Sequence, residues 1–374
     1  MPDKSAGHII RPVDTGQPVT QTFSRALQTV NKLCPSILTL VAAVLMPIFA
    51  ASAQSSLNDD LIRKQDVSAA DKQIIKAFID GNAANLKGTP LEIKKAREAL
   101  VKPVERDGVT VSFRVAMGSD LVTVLKPLVN EKEREVVVVN ALRIAGEVAT
   151  TNMIDVLLEG LKDPRESVRY AATHAMAQFF IAADKFAPAI TKDDGARCVR
   201  GLVDVIEKEN SVRVVDGASI ALMSARPFMK GLAVQRLAEA GGRKAILLAK
   251  STEPVDLGTH LRIAGALRTD LLDAQKITPD AVLASVKFAG QTLVLVKNQM
   301  KTSGDRVAIV QTAKACHGII SLGSEILKGP EIDQGMPKLL DQSKDADFEK
   351  AVMLLTGPGG LRYPGRTMRM PPQY

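Results

Sequence analysis

The sequence predicts an all-α protein, an α-solenoid of antiparallel helix pairs, and three observations carry that expectation. Of its 374 residues 46% are hydrophobic, yet only 3% are aromatic and none is tryptophan, so small aliphatic side chains fill the apolar quota. Side chains of that kind suit closely packed helices, whereas a sheet of this size would use more Tyr, Phe, Trp and Thr on its pleated surface. Apolar residues also recur at helical spacing: Val168, Ala171, Ala172, Ala175, Met176 and Phe179 fall at i, i+3, i+4, i+7, i+8 and i+11. A stripe that wide is more than one helix pair can bury, so neighbouring pairs must cover it.

The first 53 residues read as a leader. Arg25 and Lys32 precede the apolar run Ile37–Met46, Pro47 follows, and Ala51-Ser52-Ala53 supplies small residues. Basic, then apolar, then small is the order of a secretory signal peptide, and the stretch is short of the roughly 20 residues that span a bilayer. Cleavage is expected between Ala53 and Gln54, which places the mature chain outside the cytoplasm, periplasmic or extracellular, with no transmembrane span. An uncleaved anchor is the alternative. Without the leader the net charge falls from +8 to +6, from 45 basic and 39 acidic side chains. That surplus aids solubility without naming a partner, and nothing in it points to nucleic acid.

Residues 54–130 are expected to form an N-terminal helical cap, with Ser68 and Thr89-Pro90 as helix starts. Helical repeats are expected over 131–325. The most informative stretch is Thr151–Ile181: Ile154, Leu157, Leu158 and Leu161 face one way, the turn Lys162-Asp163-Pro164 follows, and the stripe beginning at Val168 completes the pair. Asp163 is placed to cap the second helix and Pro164 to open it. Related second helices run Val137–Val148 and Ser211–Ala225; Val168 lies 31 residues after Val137, and Val212 lies 44 after Val168. The string Leu-Arg-Ile-Ala-Gly occurs at 142–146 and again at 261–265. In the third copy Asp216 falls where Ala172 sits in the second. Residues 326–356 are expected to add C-terminal helix, and 357–374, with four prolines after Gly357 and Arg362, Arg366 and Arg369, to form a disordered basic tail.

The pattern Leu157-x3-Leu161-x-Asp163-x4-Val168-Arg169-x-Ala171-Ala172-x2-Ala175-Met176 resembles the HEAT-repeat superfamily, in particular its short, phycobilisome-lyase-like repeats. The resemblance covers residues 133–226 and extends more loosely to about 325. It implies a stacked, armadillo-like helical fold, and for Arg169 and Arg213 a structural role bridging to the turn of a neighbouring repeat.

Residues able to do chemistry are few enough to take singly. His174, His260 and His317 remain after the leader, and no two of them share helical metal-ligand spacing. Cys316 and His317 are adjacent, about 100° apart on a helix, so they read as a core cysteine beside a half-exposed histidine. Cys198 and Cys316 each sit in an apolar stripe. Separated by about three repeats, or roughly 30 Å at about 10 Å per helix layer, they are beyond the reach of a disulfide. The serine in Gly318-Ile319-Ile320-Ser321-Leu322-Gly323 is spaced wrongly for a nucleophile elbow and lies in a helical pattern. Gly241-Gly242-Arg243-Lys244 lacks the rest of a phosphate loop and reads as an interhelical turn. Asp193-Asp194-Gly195 reads as the cap of a helix starting near Ala196.

No enzyme and no cofactor is therefore expected. The leading expectation is a non-catalytic scaffold binding an as yet unidentified protein partner. The alternatives are a lyase-like or chromophore-handling protein, and a binder of anionic envelope polymer or lipid making weak contact through the basic tail.

Overall fold

A computed structural model describes residues 56–130, 132–186, 189–273, 277–302 and 305–357. The expected leader, its expected cleavage site at Ala53 and Gln54, and the arginines of the expected tail lie outside the described residues. The protein is all-helical: 15 α-helices and three short 3₁₀ segments account for its regular structure, with no strand among the described residues.

Helices α1 (Asp59–Ile62), α2 (Ala69–Ala83) and α3 (Pro90–Glu105) open the fold. Ser68 and Thr89 are the N-caps of α2 and α3, each closing a capping box with the carboxylate three residues on, Asp71 or Glu92. Both boxes satisfy two backbone donors that the first helical turn leaves free. Then come α4 (Val111–Leu125), α5 (Glu135–Val148), α6 (Ile154–Gly160), α7 (Glu166–Lys185), α8 (Lys192–Lys208) and α9 (Val212–Met229). The series ends with α10 (Gly231–Leu248), α11 (Gly258–Leu272), α12 (Pro279–Gln299), α13 (Arg306–Ile326), α14 (Met336–Asp341) and α15 (Asp345–Thr356).

Each helix packs chiefly on helices one or two places away in the chain. The odd-numbered helices form one series, in which α3 packs on α5, α5 on α7, α7 on α9, α9 on α11 and α11 on α13. The even-numbered helices form another, in which α2 packs on α4, α6 on α8, α8 on α10 and α10 on α12. Apolar residues of both series merge into one continuous core. Val168, Ala172, Ala175, Met176 and Phe179 of α7 are all buried in it, as are Val137, Ala141, Ile144, Ala145 and Val148 of α5. Among the described helices α12 is long and apolar enough to cross a membrane, but 72% of its most apolar stretch is buried inside the protein, where it packs on α10, α13 and α15.

Burial revises three sequence readings. In α9 the buried residues include Val214, Gly217, Ala218, Ala221, Leu222 and Ala225, the spacing of the α7 stripe, while Val212 is 49% exposed. The counterpart of Val168 is therefore Val214, two residues beyond the textual match, and Asp216 falls beside the stripe instead of interrupting it, bonded to Thr259 and Arg262 of α11. The Gly241-Gly242 pair is no turn: it lies inside α10, where a Cβ on Gly242 would meet Gln291 and one on Gly241 would meet Phe288, both on α12. Two glycines here allow the closest approach of two long helices. Helix α8 begins at Lys192, four residues before the expected Ala196, because Thr191 is its N-cap and Asp194 the far member of a capping box.

Candidate functional site

The exposed sides of α3, α5, α7 and α9 line one groove of about 750 Å³. Arg97 on α3 donates from Nη1 to Oδ1 of Asn140 on α5 at 2.8 Å, so the first two walls are tied by a hydrogen bond. On α7, Tyr170 and His174 meet edge to face with centroids 4.5 Å apart, one turn up from Gln178, and Ile181 lies 45% exposed one turn further. Charges of both signs are present: Arg97, Lys102 and Arg143 against Glu98, Glu105 and Glu147. Glu147 is half-buried, and its carboxyl is pushed above the usual carboxylate range by burial and by the charge of Glu105, against the pull of Arg114 and Lys185. A balanced set of this kind offers hydrogen bonds and apolar contact without a net field.

Beside the groove, the turns between helices are held by a second set of polar residues. Asp163 does not cap α7 in the expected way: the helix starts at Glu166, with Arg165 in the N-cap position, and Pro164 stays outside it. Asp163 instead accepts the backbone N–H of Arg165 at 2.9 Å and the Arg165 guanidinium at 2.8 and 2.7 Å. It is 6% exposed, and the bond from Arg165 holds its carboxyl below the ordinary range despite burial. Arg169 donates to the carbonyls of Asp163 and Pro164 and pairs with Glu209 at 2.6 Å across the next interhelical turn. Glu209 in turn accepts the backbone N–H groups of Asn210 and Ser211, both at 2.9 Å. Burial works to raise the Glu209 carboxyl, but these bonds keep it low.

Arg213 is placed differently. It is exposed and forms no hydrogen bond or ion pair with another described residue. The two-residue register offset in α9 explains this: the structural counterpart of Arg169 is Val215, and Arg213 points away from the neighbouring turn. Polar contact between α9 and α11 is made by Asp216, which accepts from Arg262 at 2.8 Å and from Thr259 at 3.3 Å, and by Arg226, which pairs with Asp270 at 2.7 Å.

Three features escape the sequence reading. Arg134 at the start of α5 donates to the carbonyls of Lys87 and Gly88 before α3, and Arg165 at the start of α7 to those of Asn130 and Glu133 before α5, so each reaches back to the turn that precedes the previous odd-numbered helix. A signal was present: Arg134-Glu135-Val136-Val137 and Arg165-Glu166-Ser167-Val168 share the pattern Arg-Glu-x-Val. Arg114 is 1% exposed; its Nη2 donates to the carbonyl of Val148 at 2.8 Å and its guanidinium lies 4.9 Å from the ring centre of Phe186, while Nε and Nη1 have no partner. Burial pushes this guanidinium down to about 10. His260, 2% exposed, is the third feature.

The remaining reactive residues are structural in their surroundings. Cys198 and Cys316 are free thiols, both buried; burial pushes the first up to about 12 and the second higher still. A buried thiol held that far from ionisation is a poor nucleophile. His317 is not half-exposed but 4% exposed, with Nε2 at 2.8 Å from the carbonyl of Asp333. Ser321 lies within α13. Among the described residues no three His, Cys, Asp or Glu side chains converge as metal ligands would. No protein-family model matches the chain, and no curated protein is significantly similar to it.

Proposed function

We propose that the chain is a non-catalytic scaffold whose helix pairs stack as a HEAT-like α-solenoid and hold a protein partner along the groove of α3, α5, α7 and α9. One observation carries the reading: four successive odd-numbered helices, each packed on the next, line a single groove. A helix pair that buries its stripe only against the pairs before and after it propagates in one direction and leaves a continuous face free. The groove arginines Arg97 and Arg143 are of a residue type that concentrates binding energy at protein interfaces, and exposed Ile181 adds apolar contact. The order of basic, apolar and small residues over 1–53 supports a partner outside the cytoplasm.

The test is co-purification at physiological salt from the exported fraction, comparing the native chain with I181E and with Arg143→Glu. The expected result is a partner retained by the native chain and lost from both variants while their helical circular dichroism is unchanged. Recovery of the free chain alone in repeated attempts contradicts the scaffold reading.

A further inference from the structure

His260 stands in the first turn of α11 at the joint where α10, α11 and α12 meet. Its ring stacks on Phe288 of α12, with planes 5° apart and centroids at 6.3 Å. Beneath it, Phe288 also fills the space that a Cβ at Gly241 would need. Both ring nitrogens are buried, and neither has a hydrogen-bond partner. The Gly241 backbone lies close enough to favour a protonated ring, against the larger opposing effect of burial, but it completes no bond to either nitrogen. A neutral imidazole always carries one N–H, so the fold tolerates an unsatisfied donor at this point, and it could not hold an imidazolium there without far greater cost.

The surroundings offer no compensating anion in contact. From α10 the charged neighbour is Lys244, 8% exposed and bonded through Nζ to the carbonyl of Glu209, which repels a second cation. From the connector before α11, Asp256 attracts one, but its Oδ1 is already bonded to the backbone N–H of Gly258 at 2.7 Å. From α9, Asp216 is taken by Thr259 and Arg262. The buried residues of α12 include no charged side chain, and those of α13 include only His317, tied to Asp333.

We propose that His260 is an acid-sensitive latch: protonation of its ring parts α11 from α10 and α12 and loosens this joint, while the helices from α2 to α8 stay packed. The device does not depend on the chain having a protein partner.

The coupling has a definite sign. A free imidazole gains its proton near pH 6.5, whereas burial pushes this one down to about 4. The open form therefore binds a proton that the closed form refuses, and closure is lost as pH falls from about 6.5 towards 4. Opening should become about a hundredfold more frequent between pH 7.5 and pH 4.5.

Hydrogen exchange of the full chain, read by mass spectrometry and corrected for the intrinsic effect of pH, measures this directly. The expected result is a rise of about that size in peptides covering 241–272, with peptides from α5 and α7 unchanged, and loss of the rise in His260→Phe. A flat response in the native chain, a rise spread evenly over all helices, or a rise retained in folded H260F would overturn the latch. Should H260F fail to fold at pH 7.5, the native chain decides alone: a rise confined to 241–272 supports the latch, and any other pattern rejects it.

Discussion

Arg169 and Arg213 follow a valine in the same two-residue string, and their surroundings differ because burial, not spelling, sets the register of a helix. Arg169 is held by two backbone carbonyls and by Glu209, with side-chain exposures of 21% and 11% for the ion pair. Replacing it by methionine keeps the aliphatic stem but leaves Glu209 half-buried without its cation, and a hydrogen-bonded charge removed in that setting costs about 2 kcal/mol. Arg213→Ala removes an exposed side chain with no partner, so its effect is expected within about 0.5 kcal/mol. Urea denaturation of the two variants checks the contrast; equal losses would mean that the pairing with Glu209 contributes nothing. Arg114 was beyond sequence reading for a related reason. Nothing in Phe113-Arg114-Val115 marks an arginine as internal, since its burial is decided by Val148 and Phe186, which are distant in the chain.

At the scale of elements, helix existence was legible and helix edges were less so. Periodic apolar residues identify α5, α7 and α9 because each must bury one face, and that requirement acts on every turn. Edges depend on one or two polar residues. Where those residues are strong caps, as at Ser68 and Thr89, the start is readable; at α7 an arginine occupies the cap position and Asp163 works from two residues earlier. The repeated Leu-Arg-Ile-Ala-Gly string shows how far identity of sequence carries. Its Ile and Ala are buried in both copies, but Gly146 packs against the backbone of Ala175, whereas Gly265 has nothing within 4 Å of an added Cβ. Glycine substitutions separate these cases. Gly146→Ala would bring a Cβ to 2.4 Å from the Ala175 carbonyl oxygen, forcing α5 from α7, and should cost more than about 2 kcal/mol. Gly81→Ala, inside α2 with open space around it, should stabilise by about 0.5–1 kcal/mol. Thermal unfolding of both variants reads the difference in sign; a loss from G81A equal to that from G146A would contradict the packing described for α5 and α7.

For the whole molecule, the sequence makes the all-helical class plain because composition and period agree over most of the chain. The groove was legible only in outline: the proposed stacking of pairs implies a free face, but which residues lie on it follows from the register of each helix. That is why His174, Gln178 and Ile181 emerge together only once α7 is seen between α5 and α9. The stacked reading has a consequence for size. A compact globule of the length from Gln54 to Tyr374 has a radius of gyration of about 20 Å, whereas helix pairs added in one direction give a clearly larger one. Small-angle X-ray scattering of that unit is the most direct measurement. The account predicts a radius of gyration above about 25 Å with a long tail in the distance distribution; a symmetric distribution at about 20 Å would show one closed globule and contradict it.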